Sequence, residues 1–248
     1  MKRILPLLLA LSMCFVLAAC GNSENIETAG TTGQTASEEE SPAATEESET
    51  LDEVQKTEES NIHQTEDVDT DGTKILVAYF SRTGENYSVG YIEKGNTHII
   101  ADMIAEQAGA DTFEISTVAP YPDDYDECTK VAKQEQEENA RPELTASVEN
   151  MADYDVIFLG YPIWWGDMPM AVYTFLESYD FSGKTIIPFC THEGSGISST
   201  ESSIAEVCPD TEVLEGLGIR GSIAQNSQDE AKETVDGWLE EIGTFGQE

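Results

Sequence analysis

Basic side chains are scarce. The 248-residue chain holds 12 Lys and Arg against 49 Asp and Glu, a formal charge of −37. Phosphate backbones and anionic headgroups are gripped by Lys and Arg, so this balance argues against nucleic acid and against binding anionic lipid through basic residues; a basic protein partner is permitted. Much of the excess is expected in an early low-complexity stretch, leaving the folded part less charged than the whole-chain figure. Histidine occurs only as His63, His98 and His192. None is spaced with acidic partners as metal ligands are, so no metal site is expected. His63 reads as solvated and His98 as a helix-surface residue. The five cysteines show no CxxC and make no disulfide framework. Cys14 and Cys20 lie near the amino terminus, and Cys128, Cys190 and Cys208 allow one bridge at most. Cys190 ends an apolar strand and reads as a buried thiol.

The amino terminus is built in a recognisable order. Lys2 and Arg3 precede an apolar run over residues 5–16, which is short for a transmembrane helix. Leu17-Ala-Ala-Cys20-Gly21 follows and resembles the lipobox of bacterial lipoproteins. That resemblance implies a signal peptide over 1–19, acylation of Cys20, and attachment to the extracytoplasmic membrane face through lipid. Residues 20–72 are Glu, Ser, Thr, Asn, Gln and Ala with isolated Ile26, Leu51, Val54 and Ile62. Too little apolar surface is present to offset chain entropy, and an acidic, disordered tether is expected.

Residues 73–248 read as one domain. Strand-like runs at 74–80, 111–117, 155–160, 184–190 and 211–217 alternate with helix-like segments, which predicts an α/β fold in three layers. The first helix is expected from Asn96 or Thr97 to Gly109. A polar helix over 123–138 should start on Asp123 and Asp124, and another at Pro169. The last two cover 199–207 and the stripe Ala231, Val235, Trp238, Leu239 and Ile242. Pro188 is unexpected inside a central strand. Five such strands fit a doubly wound parallel sheet of order 2-1-3-4-5. A ligand there sits beyond the strand C-termini, where the winding reverses.

Three loops carry the unusual chemistry. After strand one comes Ser81-Arg82-Thr83-Gly84, whose small residues let backbone N–H groups approach a phosphate while the hydroxyls donate. After strand three comes Tyr161-Pro162-Ile163-Trp164-Trp165-Gly166-Asp167, and an indole face can cover a flat ring. After strand four comes Thr191-His192-Glu193-Gly194-Ser195-Gly196, where glycines admit a planar ligand edge. Each has a plainer reading: a turn-rich strand exit, indoles that plug the core, a flexible turn. Gly90 to Thr97 mimics GxxxxGK[ST], but Asn96 replaces the lysine and argues against a nucleoside triphosphatase. Ser195 is preceded at two residues by Glu193, not glycine, which argues against a serine hydrolase.

Together the three loops resemble the FMN loops of flavodoxins and related flavodoxin-like reductases. The resemblance covers essentially all of the chain after Thr73. It implies noncovalent FMN, with phosphate at Ser81 and Thr83, Trp165 stacked on the ring, and Trp164 nearby. It also implies that Pro162 and Ile163 line the cofactor through their backbone, while Thr191, Gly194, Ser195 and Gly196 border the pyrimidine edge near His192. The sequence departs from the family at one place. Gly84 and Gly95-Asn96-Thr97 are separated by residues 85–94, an insertion after which Asn96 and Thr97 rejoin the phosphate site at the helix start. A rival register uses Glu85 and Asn86 directly, at the cost of a carboxylate beside phosphate. Arg82 either offsets phosphate charge or faces solvent. The family implies electron transfer or flavin-dependent reduction, with a redox donor and acceptor left open. A reductase passing hydride from a nicotinamide to a quinone is the alternative, with residues 119–150 shaping its substrate pocket. A cofactor-free interaction module is the second.

Overall fold

The structure is a computed structural model that describes residues 72–243. The expected signal, the acylated Cys20 and all but the end of the acidic tether lie outside the described residues. Between 72 and 243 the sequence has 32 Asp and Glu against 9 Lys and Arg, a net −23. Most of the negative charge therefore belongs to the described unit itself, contrary to the expectation that the early stretch carries much of it.

The chain opens with β1 (Ile75–Tyr79), every residue of which is buried. A short antiparallel pair, β2 (Gly84–Asn86) and β3 (Gly90–Ile92), occupies the insertion, and α1 (Asn96–Ala108) follows. Then come β4 (Asp111–Glu114), α2 (Tyr125–Glu138), β5 (Val156–Pro162), α3 (Met170–Glu177), β6 (Thr185–His192) and α4 (Thr200–Val207). The chain ends in β7 (Glu212–Val213), β8 (Leu217–Arg220), α5 (Gly221–Asn226) and α6 (Gln228–Glu241). The sheet order is β4-β1-β5-β6, with β7 and then β8 pairing in parallel along the outer side of β6. This is the expected 2-1-3-4-5 sheet, with its fifth strand broken in two.

Alternation along the strands fills two cores. Leu76, Ala78, Ile157, Leu159, Tyr161 and Ile186 meet Val172, Phe175 and Leu176 of α3 and Ile204 of α4. On the opposite face Val77, Val156, Phe158, Ile187 and Phe189 meet Ile100 and Ile104 of α1 and Val235, Trp238 and Leu239 of α6. Both faces being covered explains why β1, β5 and β6 read as continuous apolar runs.

Pro188 explains the break in the fifth strand. Leu214 donates its N–H to the Ile186 carbonyl at 3.1 Å, so Ile186 faces the fifth strand, and so does Pro188 two residues later. Proline has no N–H to give there. The chain bulges past it over residues 214–216 and pairing resumes at Phe189 with Leu217. Gly216 fills the bulge because a Cβ would lie 2.6 Å from the Pro188 carbonyl and 2.8 Å from its ring. Cys128, Cys190 and Cys208 are buried free thiols, so no bridge forms among them. Burial pushes the Cys190 thiol up to about 12 and Cys208 to about 11.

Candidate functional site

The sheet reverses its winding between β1 and β5, and a cleft of about 420 Å³ opens beyond their C-terminal ends. Its lining comes from four places. The strand-one side gives Arg82, Asn86, Tyr87 and Asn96. The α2 side gives Tyr125, Cys128, Thr129 and Ala132. The loop after β5 gives Pro162, Ile163, Trp164 and Trp165, and the loop after β6 gives Thr191, His192 and Glu193, with Gly221 at the start of α5.

The first loop is tied to the start of α1. Gly95 precedes that helix with no side-chain cap of its own. The cap comes from the first loop instead: the Ser81 hydroxyl accepts the His98 N–H at 3.1 Å and keeps its own proton to donate. A Cβ at Gly95 would overlap Ser81 Oγ and lie 2.7 Å from the Arg82 carbonyl. Thr97 and Thr191 share a buried hydroxyl hydrogen bond of 2.8 Å, which locks the helix start to the end of β6. Asn96 and Thr97 thus return to the first loop after the insertion. His98 itself lies half-buried, its ring 4.9 Å from that of Tyr79.

Arg82 neither faces solvent nor sits with an uncommitted charge. Its guanidinium donates to the carbonyls of Pro122 at 2.6 Å, Asp123 at 2.7 Å and Asp124 at 3.4 Å, and also to that of Glu85. Together with the Glu85 N–H on the Asp123 carbonyl at 2.8 Å, these bonds moor the β2–β3 hairpin to the segment before α2. Gly84 allows the approach, since a Cβ there would meet the Asp123 carbonyl at 2.9 Å. Thr83 is exposed, and the Asn86 side chain donates to the Thr83 and Gly84 carbonyls at 3.4 and 3.1 Å. Donors for an anion are therefore the helix start and neutral hydroxyls.

The two indoles have different settings. Trp164 is half-buried, its ring edge-on to Phe80 at 5.3 Å and Tyr121 at 5.0 Å. Trp165 is 55% exposed. Residues 164–167 close a two-residue turn, with Trp164 N–H on the Asp167 carbonyl at 2.8 Å and the reverse bond at 3.1 Å. Trp165 has φ +52 and Gly166 φ +81. Positive φ at both central positions is the type I′ turn, which costs a non-glycine residue roughly 1–2 kcal/mol. The turn holds the indole out over α2, where Nε1 donates to the Thr129 carbonyl at 3.0 Å.

In the third loop, Ile163 donates its N–H to the Thr191 carbonyl at 2.9 Å, joining the second and third loops. His192 Nδ1 accepts the Gly194 N–H at 2.8 Å, which fixes a neutral ring. Burial, together with the Arg220 charge, lowers its pKa. Glu193 turns back to accept from the Ser222 N–H at 2.7 Å and hydroxyl at 3.1 Å. Gly194 and Ser195 are exposed, and Gly196 accepts a weak thiol bond from Cys190 at 3.6 Å.

Of the residues singled out from sequence, Arg82, Asn96, Pro162, Ile163, Trp164, Trp165, Thr191 and His192 line the cleft. Ser81, Thr83, Gly84, Thr97, Gly194, Ser195 and Gly196 lie around it without lining it. Asn86, offered by the rival register, also lines the cleft, and sequence reasoning missed Tyr87, Tyr125, Cys128, Thr129, Ala132, Glu193 and Gly221. One signal was readable: 125, 128, 129 and 132 stand at i, i+3, i+4 and i+7 on α2, a single helix face.

A test of fit to a polar cofactor is available. Asn96 Oδ1 is buried with no hydrogen-bond partner among the described residues, although Asn96 lines the cleft. A buried acceptor left unmade costs about 1–3 kcal/mol, so this position calls for a donor from a ligand. A sugar-alcohol hydroxyl is such a donor. Gly221 holds the start of α5 against the same side chain, where a Cβ would overlap Asn96 Nδ2.

Sheet order places the molecule among doubly wound α/β proteins, with its cleft at the switch point. A family model described as Flavodoxin matches residues 74–242, and the chain belongs to the flavodoxin family. Two solved structures, assigned as flavoproteins of Bacteroides eggerthii DSM 20697 and Bacteroides uniformis ATCC 8492, are 30% and 32% identical. Each match covers 68% of this chain and 98% or 99% of the other, with a TM-score of 0.56. A flavoprotein of Lactobacillus acidophilus NCFM, solved in complex with FMN, is 21% identical over 67% of this chain and 98% of its own, with a TM-score of 0.49. No curated protein matches.

Proposed function

We propose that the described unit binds FMN noncovalently in the cleft and serves electron transfer or flavin-dependent reduction. The single observation that carries this is the unpartnered Asn96 Oδ1 in a cleft bounded by the three loops of a flavodoxin-family chain. The 30% and 32% identical flavoproteins support the cofactor class. Ser81, Thr83 and the start of α1 would hold the phosphate, Asn96 a ribityl hydroxyl, and Trp165 the ring, with Trp164 behind it. Pro162, Ile163, Thr191 and the loop from His192 to Gly196 would border the ring's polar edge. When bound, FMN supplies the one- and two-electron chemistry. The chain's residues orient it, cover its ring with indole, and surround it with negative charge. That charge disfavours added charge on the reduced ring and lowers its potential. No side chain is required as general acid or base.

The experiment is an absorption spectrum of the purified chain before and after FMN addition, then after anaerobic reduction. A chain that stays colourless after FMN is added refutes the reading. A second reading, reduction of a small-molecule acceptor, is favoured by the exposed aromatic mouth of the cleft, and turnover with reduced nicotinamide and a quinone tests it. We also propose attachment to the extracytoplasmic membrane face through acylated Cys20. Metabolic labelling with a fatty acid, lost in Cys20→Ala, tests that attachment.

A further inference from the structure

The insertion after β1 adds Asn86 and Tyr87 to the lining of the cleft. Tyr87, at the tip of the β2–β3 hairpin, lines the cleft and is 63% exposed. Its ring lies 6.1 Å from that of Tyr125, tilted by 31°. Tyr125 is 37% exposed and lines the same cleft, as does Trp165. Tyr87 and Tyr125 hold aromatic surface towards water at one opening, where it is costly to solvate. They are also fixed. Arg82 moors the hairpin at Pro122, Asp123 and Asp124, and Trp165 is held by its turn and by Thr129.

The charge around this opening is mainly negative. Arg82 is the Lys or Arg that lines the cleft, and its guanidinium is committed to backbone carbonyls. Lys133 lies over the Trp165 ring at 5.3 Å but pairs with Glu137 at 3.7 Å. Against these stand Glu85, whose carboxylate reaches the Tyr125 N–H at 3.5 Å, Asp126 beside Tyr125 at the start of α2, and Glu193 in the lining, which pairs with Arg220 at 3.9 Å.

We infer that the mouth formed by Tyr87 and Tyr125, beside the Trp165 that would carry the flavin, is a second ring site, which takes an uncharged or cationic planar aromatic acceptor and rejects anionic ones. This rests on the flavin reading for the acceptor's role. Stacking on the tyrosine faces supplies the attraction, and a cationic ring gains further from their negative faces. The surrounding carboxylates repel an anion, an effect that salt screens.

The test uses the FMN-loaded full chain and three redox-inert probes in a calorimeter: 2-naphthol, N-methylquinolinium and naphthalene-2-sulfonate. The first two should bind, and the sulfonate at least about tenfold more weakly at low salt, with the gap narrowing as salt is raised. Tyr87→Leu keeps apolar bulk but removes the ring. It should weaken 2-naphthol by about three- to tenfold, the worth of one aromatic pair. FMN affinity is measured on the same variant. A chain that never takes up FMN overturns the flavin reading, and the acceptor role with it. A loaded chain that binds all three probes alike, or none, overturns the ring site alone. So does a Tyr87→Leu chain that loses FMN by the same factor as 2-naphthol, since Tyr87 would then belong to the cofactor's own site.

Discussion

The cleft has two walls made in different ways. One is the sheet itself: the ends of β5 and β6, whose residues are set by strand register and buried on both faces. The other is the β2–β3 hairpin against α2, joined to the body by hydrogen bonds that converge on one guanidinium. In the first wall a side chain's place follows from the packing of the whole core. In the second it follows from a few polar contacts at the surface. The sheet wall should therefore fail globally when disturbed, and the hairpin wall locally.

The strongest way to break that contrast is at Gly160 in β5. A Cβ there would overlap the Phe189 ring, with further ring atoms at 2.5 and 2.8 Å. Phe189 is fully buried and has nowhere to go. Gly160→Ala is expected to destabilise the whole unit by about 3 kcal/mol, the upper range for overpacking, with a matching fall in urea midpoint and an unchanged m-value. A loss confined to the cleft would contradict the picture of the sheet wall.

Arg82→Gln tests the other wall. Removing the charged donor to four carbonyls should cost about 1–3 kcal/mol, but in hairpin docking and not in global stability. Backbone amides of residues 84–92 should exchange with solvent about tenfold or more faster, while the melting transition moves little. Equal acceleration of β5 and β6 amides would show that the walls are not separate.

Trp165 belongs to both walls, attached to β5 and resting on α2. Trp165→Asn suits the left-handed backbone, recovering roughly 1 kcal/mol of turn strain, and loses one indole hydrogen bond worth about as much. Stability should stay within about 1 kcal/mol while FMN affinity falls. An equal loss of both would make Trp165 a packing residue.

The same contrast decides what could be read from the sequence. The sheet wall was legible: apolar runs at β1, β5 and β6, with chemistry at their C-terminal ends, fix order and site together. Pro188 was visible as an irregularity, but its consequence, a fifth strand split around 214–216, depends on which side of β6 the missing N–H faces. The hairpin wall was not legible. β2 and β3 have three residues each, and their loop turns at Ser88 with φ +66, without the Asn-Gly signal of a hairpin. Arg82 has two plausible fates in sequence, and only the arrival of the 122–124 carbonyls settles a third. The six-residue α5 begins at Gly221, a poor helix start, and leans on Glu193 from another loop.

The smallest expected effect lies in the sheet wall and concerns pH. His192 accepts the Gly194 N–H through Nδ1, so its neutral form holds the third loop, and burial keeps its pKa below the ordinary value near 6.5. A histidine whose folded pKa is lowered contributes stability that is complete above the unfolded pKa and is lost as pH falls through the folded one. In His192→Asn, an amide oxygen can accept the same N–H but does not titrate. The parent chain should therefore lose stability relative to this variant as pH falls below about 6.5. The difference between the two urea midpoints isolates the imidazole from the many carboxylates that titrate lower down. A difference flat from pH 7.5 to 5 would mean that protonation leaves the loop undisturbed, so that the sheet, and not the imidazole, holds Gly194 in place.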